Sequence, residues 1–361
     1  MTKRALQTAL TSLLLLFLGL GATGAYLYRL DAKSLWNDEC MVRMLSEYSP
    51  EKIMKGSDKH REPVSFLLRH YSLRLFPNTF GARLPSAIAA GCGVAAIGLL
   101  GWLLFGRVTG VCAAILLACN PKWIYYAQEN RFYTLGTLIA LLVLLCFYAA
   151  LRFKKWWLWA LMAVFAVLHH LTWPLAYVVH GSMALPFALA FIVMLIPWKY
   201  GDDWHLRWRD VLYGVCGGIL AGGLLLLVAH TICPLLLDAV SETRTVDSAF
   251  WKAPKPLSYA TLRGLLDTFH PWYGVLLPGV LAVTLVSIFY DRDRYVGLLL
   301  LFLAATFLAV YGLNRNKGAV FPKRLMYMLP LYLLLLSRAL TLAGDVLWRC
   351  ALWCAHGWLS E

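Results

Sequence analysis

Apolar runs of about 20 residues recur along this chain, and few other patterns leave so little choice of fold. A helix rises about 1.5 Å per residue, so such a run crosses a hydrocarbon layer of about 30 Å. A helix also satisfies every backbone polar group within itself, which lipid demands. The runs predict helices over about 5–27, 84–105, on to 120, 134–151, 156–170, on to 198, 211–232, 273–290, 295–313 and 325–343. Charged residues make up 14% of the chain, against about 25% in a soluble domain. The expected fold is therefore an all-α polytopic membrane protein with about ten transmembrane helices. Residues 1–343 form one transmembrane module, with outer loops at about 28–83 and 233–272. Residues 344–361 form a short cytoplasmic tail.

Charge placement sets the expected orientation. Lys3 and Arg4 precede the first run, and the short basic segments at 152–155 and 199–210 mark cytoplasmic ends. The first run is long and offers no convincing small-x-small cleavage site before Tyr26 and Tyr28, so it is read as a retained anchor. The net charge of +14 is scattered among the spans. That speaks against nucleic acid and for anionic head groups or phosphate-bearing substrates. The nine Cys lie mostly inside apolar runs and include no CxxC, so no disulfide framework is expected. In the first outer loop, residues 63–76 put positions 64, 67, 68, 71 and 75 on one apolar face, with Arg69 and Arg74 off it. This predicts an interfacial amphipathic helix; the alternative is a short helix packed on other loops.

With alternating loops, four polar segments fall on one membrane face: Asp38-Glu39, Gln128 to Arg131, His169-His170 and Lys323-Arg324. A carboxylate pair can serve as general base or hold a cation. Arginine grips phosphate with two parallel hydrogen bonds, and histidine carries protons or ligates. Together they suit a reaction that expels a phosphate. Each has a structural alternative. Asp38 and Glu39 could cap a helix. Glu129 and Arg131 could pair, His169 could be a satisfied interfacial histidine, and Lys323 and Arg324 could anchor head groups.

SLWNDE after the first helix, RLPS leading into the second, YYAQENRFYTLG, HHLTWPLAYV and PKRLMYMLPLYLLLL also resemble a family. They are similar to segments of the GT-C membrane glycosyltransferases. Within these they resemble glycosyltransferase family 39, which includes protein O-mannosyltransferases and the lipid A aminoarabinose transferase. The resemblance covers about residues 1–340. It implies transfer of a sugar, with inversion, from a polyprenyl-phosphate donor to a lipid, glycan or protein acceptor. The transfer would take place on the extracytoplasmic face of a cytoplasmic (inner) membrane. It implies Asp38 as catalytic base with Glu39 beside it, Glu129 and Arg131 as the acid and arginine of the second outer loop, and Arg324 as the residue meeting the lipid phosphate. Lys323, His169 and His170 join them as substrate-binding residues. Two departures stand out: the late motif spreads Arg324 and Tyr327 apart, and the first loop has no DxD. A divalent cation is left open, and no nucleotide cofactor is expected. The competing reading is a transporter or flippase of a lipid-linked sugar, which needs ionisable groups near the bilayer midplane. Only His180 and His230 stand out there.

Overall fold

The computed structural model describes residues 3–55, 62–173, 271–290 and 326–359, together with Ala176, His180, Cys216 and Leu303. Its regular elements are all helices: α1 (Lys3–Leu27), α2 (Asn37–Ser46), α3 (Pro50–Lys55), α4 (Pro63–Leu75), α5 (Thr79–Phe105), α6 (Arg107–Ala118), α7 (Pro121–Ala127), α8 (Tyr133–Phe153), α9 (Trp156–His170), α10 (Pro271–Tyr290) and α11 (Met328–Leu359). Among the described residues, four helices are long and apolar enough to cross a membrane: Ala5–Leu27 of α1, α5, α8 and Met328–Arg349 of α11. A fifth span results if α6 and α7, bent by 63°, are taken as one. The helices expected over about 171–198, 211–232 and 295–313 fall almost wholly outside the described residues.

α5 is the hub, packed against α1, α6, α8, α4, α7 and α11. Its small residues let neighbours approach closely, as membrane helices require where lipid removes the hydrophobic drive between them. A Cβ on Gly91 would lie 1.8 Å from Thr23 Oγ1 of α1, so this crossing needs glycine. α1 buries the stripe Leu15, Gly19, Ala22 and Tyr26, spaced at helical intervals. Leu13, Leu16, Phe17 and Leu20 are left exposed, as suits a lipid-facing surface. Gly106, at φ +100°, makes the tight turn from α5 into α6.

Two boundaries differ from the sequence expectation. α5 begins at Thr79 rather than about 84, because Asn78 caps it by accepting from the Gly81 N–H at 3.1 Å. Pro85 removes the donor that the Gly81 carbonyl would meet within the helix. The Ser72 hydroxyl of α4 replaces it, donating to Gly81 O at 2.6 Å. At the other end, α11 runs unbroken through Gly344 to Leu359, so the expected tail is largely a continuation of the last helix. A lone glycine inside an otherwise helix-favouring run costs about 1 kcal/mol, too little to end it.

α4 is amphipathic as expected, but its sides are inverted relative to a soluble helix. The apolar residues Leu68, Tyr71 and Leu75 are exposed. The polar side, Ser65, Arg69, His70 and Ser72, is buried against the protein. That arrangement suits a helix whose outer face meets lipid.

Candidate active site

Asp38 and Glu39 are neighbours in the first turn of α2, where the helix dipole favours carboxylates. Successive helical residues diverge by about 100°, and here the divergence separates two environments. Glu39 is fully buried, while the Asp38 side chain is 36% exposed.

All of the hydrogen-bonding capacity visible at Glu39 is taken by protein groups. Oε1 accepts from Arg83 Nε at 2.9 Å and from the Asn130 N–H at 2.6 Å. Oε2 accepts from Arg83 Nη2 at 2.7 Å and from the Trp36 N–H at 3.3 Å, the latter closing the start of α2. Arg83 spends its remaining N–H groups on the carbonyls of Leu30, Lys33 and Ser34. A buried ion pair persists only when such bonds offset the cost of leaving water. Glu39, expected beside the base as part of a carboxylate pair, thus has its side-chain oxygens turned to protein donors. Burial and four donors make it the clamp that fixes α2 to the start of α5.

Asn130 extends the clamp. Its Nδ2 donates to the Glu39 carbonyl at 3.0 Å, and its Oδ1 accepts from Arg69 Nε. Arg69 is completely buried, and it also donates to Ser65 and, at 3.1 Å, to Ser86 Oγ. Burial pushes its pKa down to about 10, with the charge of Arg131 adding to the effect and Glu62 and Glu39 opposing it, so it stays cationic at neutral pH. Ser86 Oγ donates to the Arg131 carbonyl at 2.9 Å. The turn before α8 is thus held by α4 and α5 together.

Arg131, one residue beyond Asn130, is the counterpart of Asp38. Its Nη1 lies 3.5 Å from Asp38 Oδ2 with the side chain partly exposed, and its Nη2 donates to the Tyr133 hydroxyl at 3.4 Å. Glu129 is buried and takes the Tyr125 hydroxyl. His169 and His170 end α9 and meet through His180: His169 Nδ1 lies 3.3 Å from His180 Nε2, and His180 Nδ1 lies 3.0 Å from His170 Nε2. Lys323 and Arg324 lie outside the described residues. Of the expected residues, the structure joins Asp38 with Arg131 directly, links both to Glu39 through the clamp, and sets the histidines one aromatic layer away, through Trp173, Phe132 and Tyr133. Sequence reading missed Arg69, Arg83 and Glu62. The available signal was an arginine or carboxylate beside an apolar run with no cytoplasmic-flank pattern around it. The three histidines bond to one another, and among the described residues no group of three or more His, Cys, Asp or Glu is arranged to hold a metal; at Asp38 the neighbouring charge is the Arg131 guanidinium.

Long apolar helices and the likeness to the solved structures that follow make this a membrane protein of the GT-C fold. Over residues 60–199 it matches the family model described as dolichyl-phosphate-mannose-protein mannosyltransferase. Among solved structures, it is similar to ArnT from Cupriavidus metallidurans bound to undecaprenyl phosphate, with TM-score 0.60 and 17% identity, covering 95% of this chain and 64% of that one. It is also similar to the oligosaccharyltransferase AglB from Archaeoglobus fulgidus in complex with an inhibitory peptide and a dolichol-phosphate, with TM-score 0.60 and 12% identity, covering 97% of this chain and 52% of that one. The chain thus spans less than two thirds of the length of either relative. No curated protein matches it.

Proposed function

We propose that the chain is a glycosyltransferase that moves a sugar from a polyprenyl-phosphate donor to an acceptor hydroxyl, with inversion, on the extracytoplasmic side of a cytoplasmic membrane. The observation that carries the reading is the outward pair Asp38–Arg131, 3.5 Å apart, mounted on a buried clamp beside a helix whose apolar face is exposed. The neighbours solved with undecaprenyl phosphate and dolichol-phosphate support a lipid-phosphate donor.

In this reading Asp38 takes the proton of the acceptor hydroxyl as its oxygen forms a bond to the anomeric carbon. The bond from that carbon to the phosphate oxygen breaks on the opposite face, and polyprenyl phosphate leaves. One displacement inverts the centre. Arg131 neutralises charge on the leaving phosphate, with Lys323 and Arg324 as the expected further cations. Glu39 acts as a positioning residue.

The test compares envelope glycans and glycolipids, by mass spectrometry, from cells with the wild-type protein, Asp38→Asn and no protein. General-base loss costs about 10²–10⁴-fold in rate, so Asp38→Asn is expected to reproduce the deletion while accumulating in the membrane as wild type does. A variant that restores the missing sugar removes Asp38 from the chemistry. Turnover of a radiolabelled donor in detergent, where no gradient exists, separates the enzyme from a flippase.

A further inference from the structure

Arginine is a demanding residue to place. Its long side chain has many rotamers to lose, so a guanidinium that is to meet a phosphate in one geometry gains from being ordered beforehand. Arg131 is ordered from both ends. Its carbonyl accepts from Ser86 Oγ at 2.9 Å, and Ser86 Oγ in turn accepts from the buried Arg69 Nη2 at 3.1 Å. Its guanidinium lies over the rings of Phe132 and Tyr133, 5.8 and 5.6 Å from their centroids. Nη2 donates to the Tyr133 hydroxyl at 3.4 Å.

Tyr133 is the fixed side of this arrangement. It opens α8 and is 2% exposed. Its ring stands edge-on to Tyr126 at 5.1 Å and lies 4.7 Å from Phe132 and 6.3 Å from Trp173. Trp173 is itself pressed against α8, where a Cβ on Gly136 would fall 2.0 Å from its Cε3. A ring packed in this way moves its hydroxyl only by moving its neighbours. Asp38, by contrast, is partly exposed, 3.5 Å from Nη1. In the reaction proposed above Asp38 turns to the acceptor hydroxyl and Arg131 to the phosphate. Their mutual contact loosens at that point, and the Tyr133 contact is the one that stays.

The plain alternative is a packing tyrosine, buried for its ring, whose hydroxyl contributes to the fold and not to the substrate. The two differ in what the hydroxyl acts through. A packing role is felt with any ligand and with any residue at 131. A positioning role is felt only where a phosphate meets an arginine. We infer that Tyr133 is a positioning residue: its ring and hydroxyl hold the Arg131 guanidinium beside Asp38 in the orientation that receives the phosphate of the lipid donor. The inference rests on the lipid-phosphate reading and adds a residue that serves the substrate without touching it.

The test uses full-length protein in nanodiscs and two probes, undecaprenyl phosphate and undecaprenol, which lacks the phosphate. Wild type is expected to bind the phosphate at least about tenfold tighter than the alcohol, the effect of one charge-assisted contact. Tyr133→Phe keeps the ring and is expected to reduce that preference about three- to tenfold, the effect of one hydrogen bond, with affinity for undecaprenol unchanged. Arg131→Met is expected to lose a larger part of the preference. Adding Tyr133→Phe to it is expected to cost nothing more, because the hydroxyl then has no guanidinium to hold. Retention of the full preference in Tyr133→Phe overturns the inference. So does an equal loss of affinity for undecaprenol, or a further loss on top of Arg131→Met, since either makes Tyr133 a packing residue. If wild type binds the two lipids alike, the lipid-phosphate reading itself falls, and the inference falls with it.

Discussion

Two regions at the same end of the bundle handle buried polar groups in opposite ways. Around Glu39, Arg83, Asn130 and Arg69 the visible donors and acceptors meet partners across α2, α4, α5 and the turn before α8. One layer away, His169, Trp173 and Tyr327 each keep a buried atom unmet. The first region has spent its polarity on holding itself together. The second is held by ring-on-ring packing around Trp173, with Phe132, His169 and Tyr327 against it. The contrast also divides adjacent residues. Glu39 and Asn130 turn into the clamp, while Asp38 and Arg131 form the partly exposed pair. The clamp supplies position to that pair.

The hardest way to break this contrast is at Arg83. Arg83→Met leaves the Glu39 carboxylate buried at full charge with its main partner gone. Loss of one member of a buried pair costs about 3–5 kcal/mol, and the carbonyls of Leu30, Lys33 and Ser34 lose donors as well. The variant is expected to melt well below wild type in detergent and to accumulate poorly. Adding Glu39→Gln removes the stranded charge and is expected to return a large part of the loss. If the double variant is no better than Arg83→Met, charge burial is not what the pair manages.

Asn130→Ala is the next largest. It deletes a donor to the Glu39 carbonyl and an acceptor for the buried Arg69 guanidinium, but leaves the Asn130 backbone N–H on Glu39. Stranding buried groups in this way costs about 1–3 kcal/mol, with more when one is charged. Thermal unfolding in detergent measures it. A shift within error of zero would mean that Arg69 is hydrated in solution rather than held by the clamp.

The sequence made much of this visible and hid the rest for identifiable reasons. Long apolar runs announced the spans, since nothing but a helix crosses lipid alone. The convergence of Asp38-Glu39 with the segment around Arg131 followed from alternating loops. The division of labour between Asp38 and Glu39 did not follow, because two acids in one turn look alike until a partner is placed on one of them. Arg83 and Arg69 read as basic residues beside apolar runs, and their burial depends on Glu39 and Asn130, 44 and 61 residues away in the chain. The start of α5 was hidden because the apolar run begins only near 84, whereas Asn78 caps the helix earlier and Ser72 on a different helix makes the interior Pro85 tolerable. His180 looked like a lone histidine, and only the fold puts it between His169 and His170.

The smallest expected effect sharpens the contrast most, because it falls one residue from a large one. Arg131→Met removes a partly exposed ion pair at 3.5 Å and a long hydrogen bond to Tyr133. Exposed pairs are worth about 0–1 kcal/mol, and the methionine keeps much of the contact with Phe132 and Tyr133. Its Nε, moreover, has no partner to lose. Melting is therefore expected to move by less than about 1 kcal/mol, less than for Asn130→Ala beside it. Activity is expected to fall steeply, because the cation nearest Asp38 is gone. A stability loss as large as that of Asn130→Ala would place Arg131 inside the clamp and leave Asp38 without a partner set aside for the substrate.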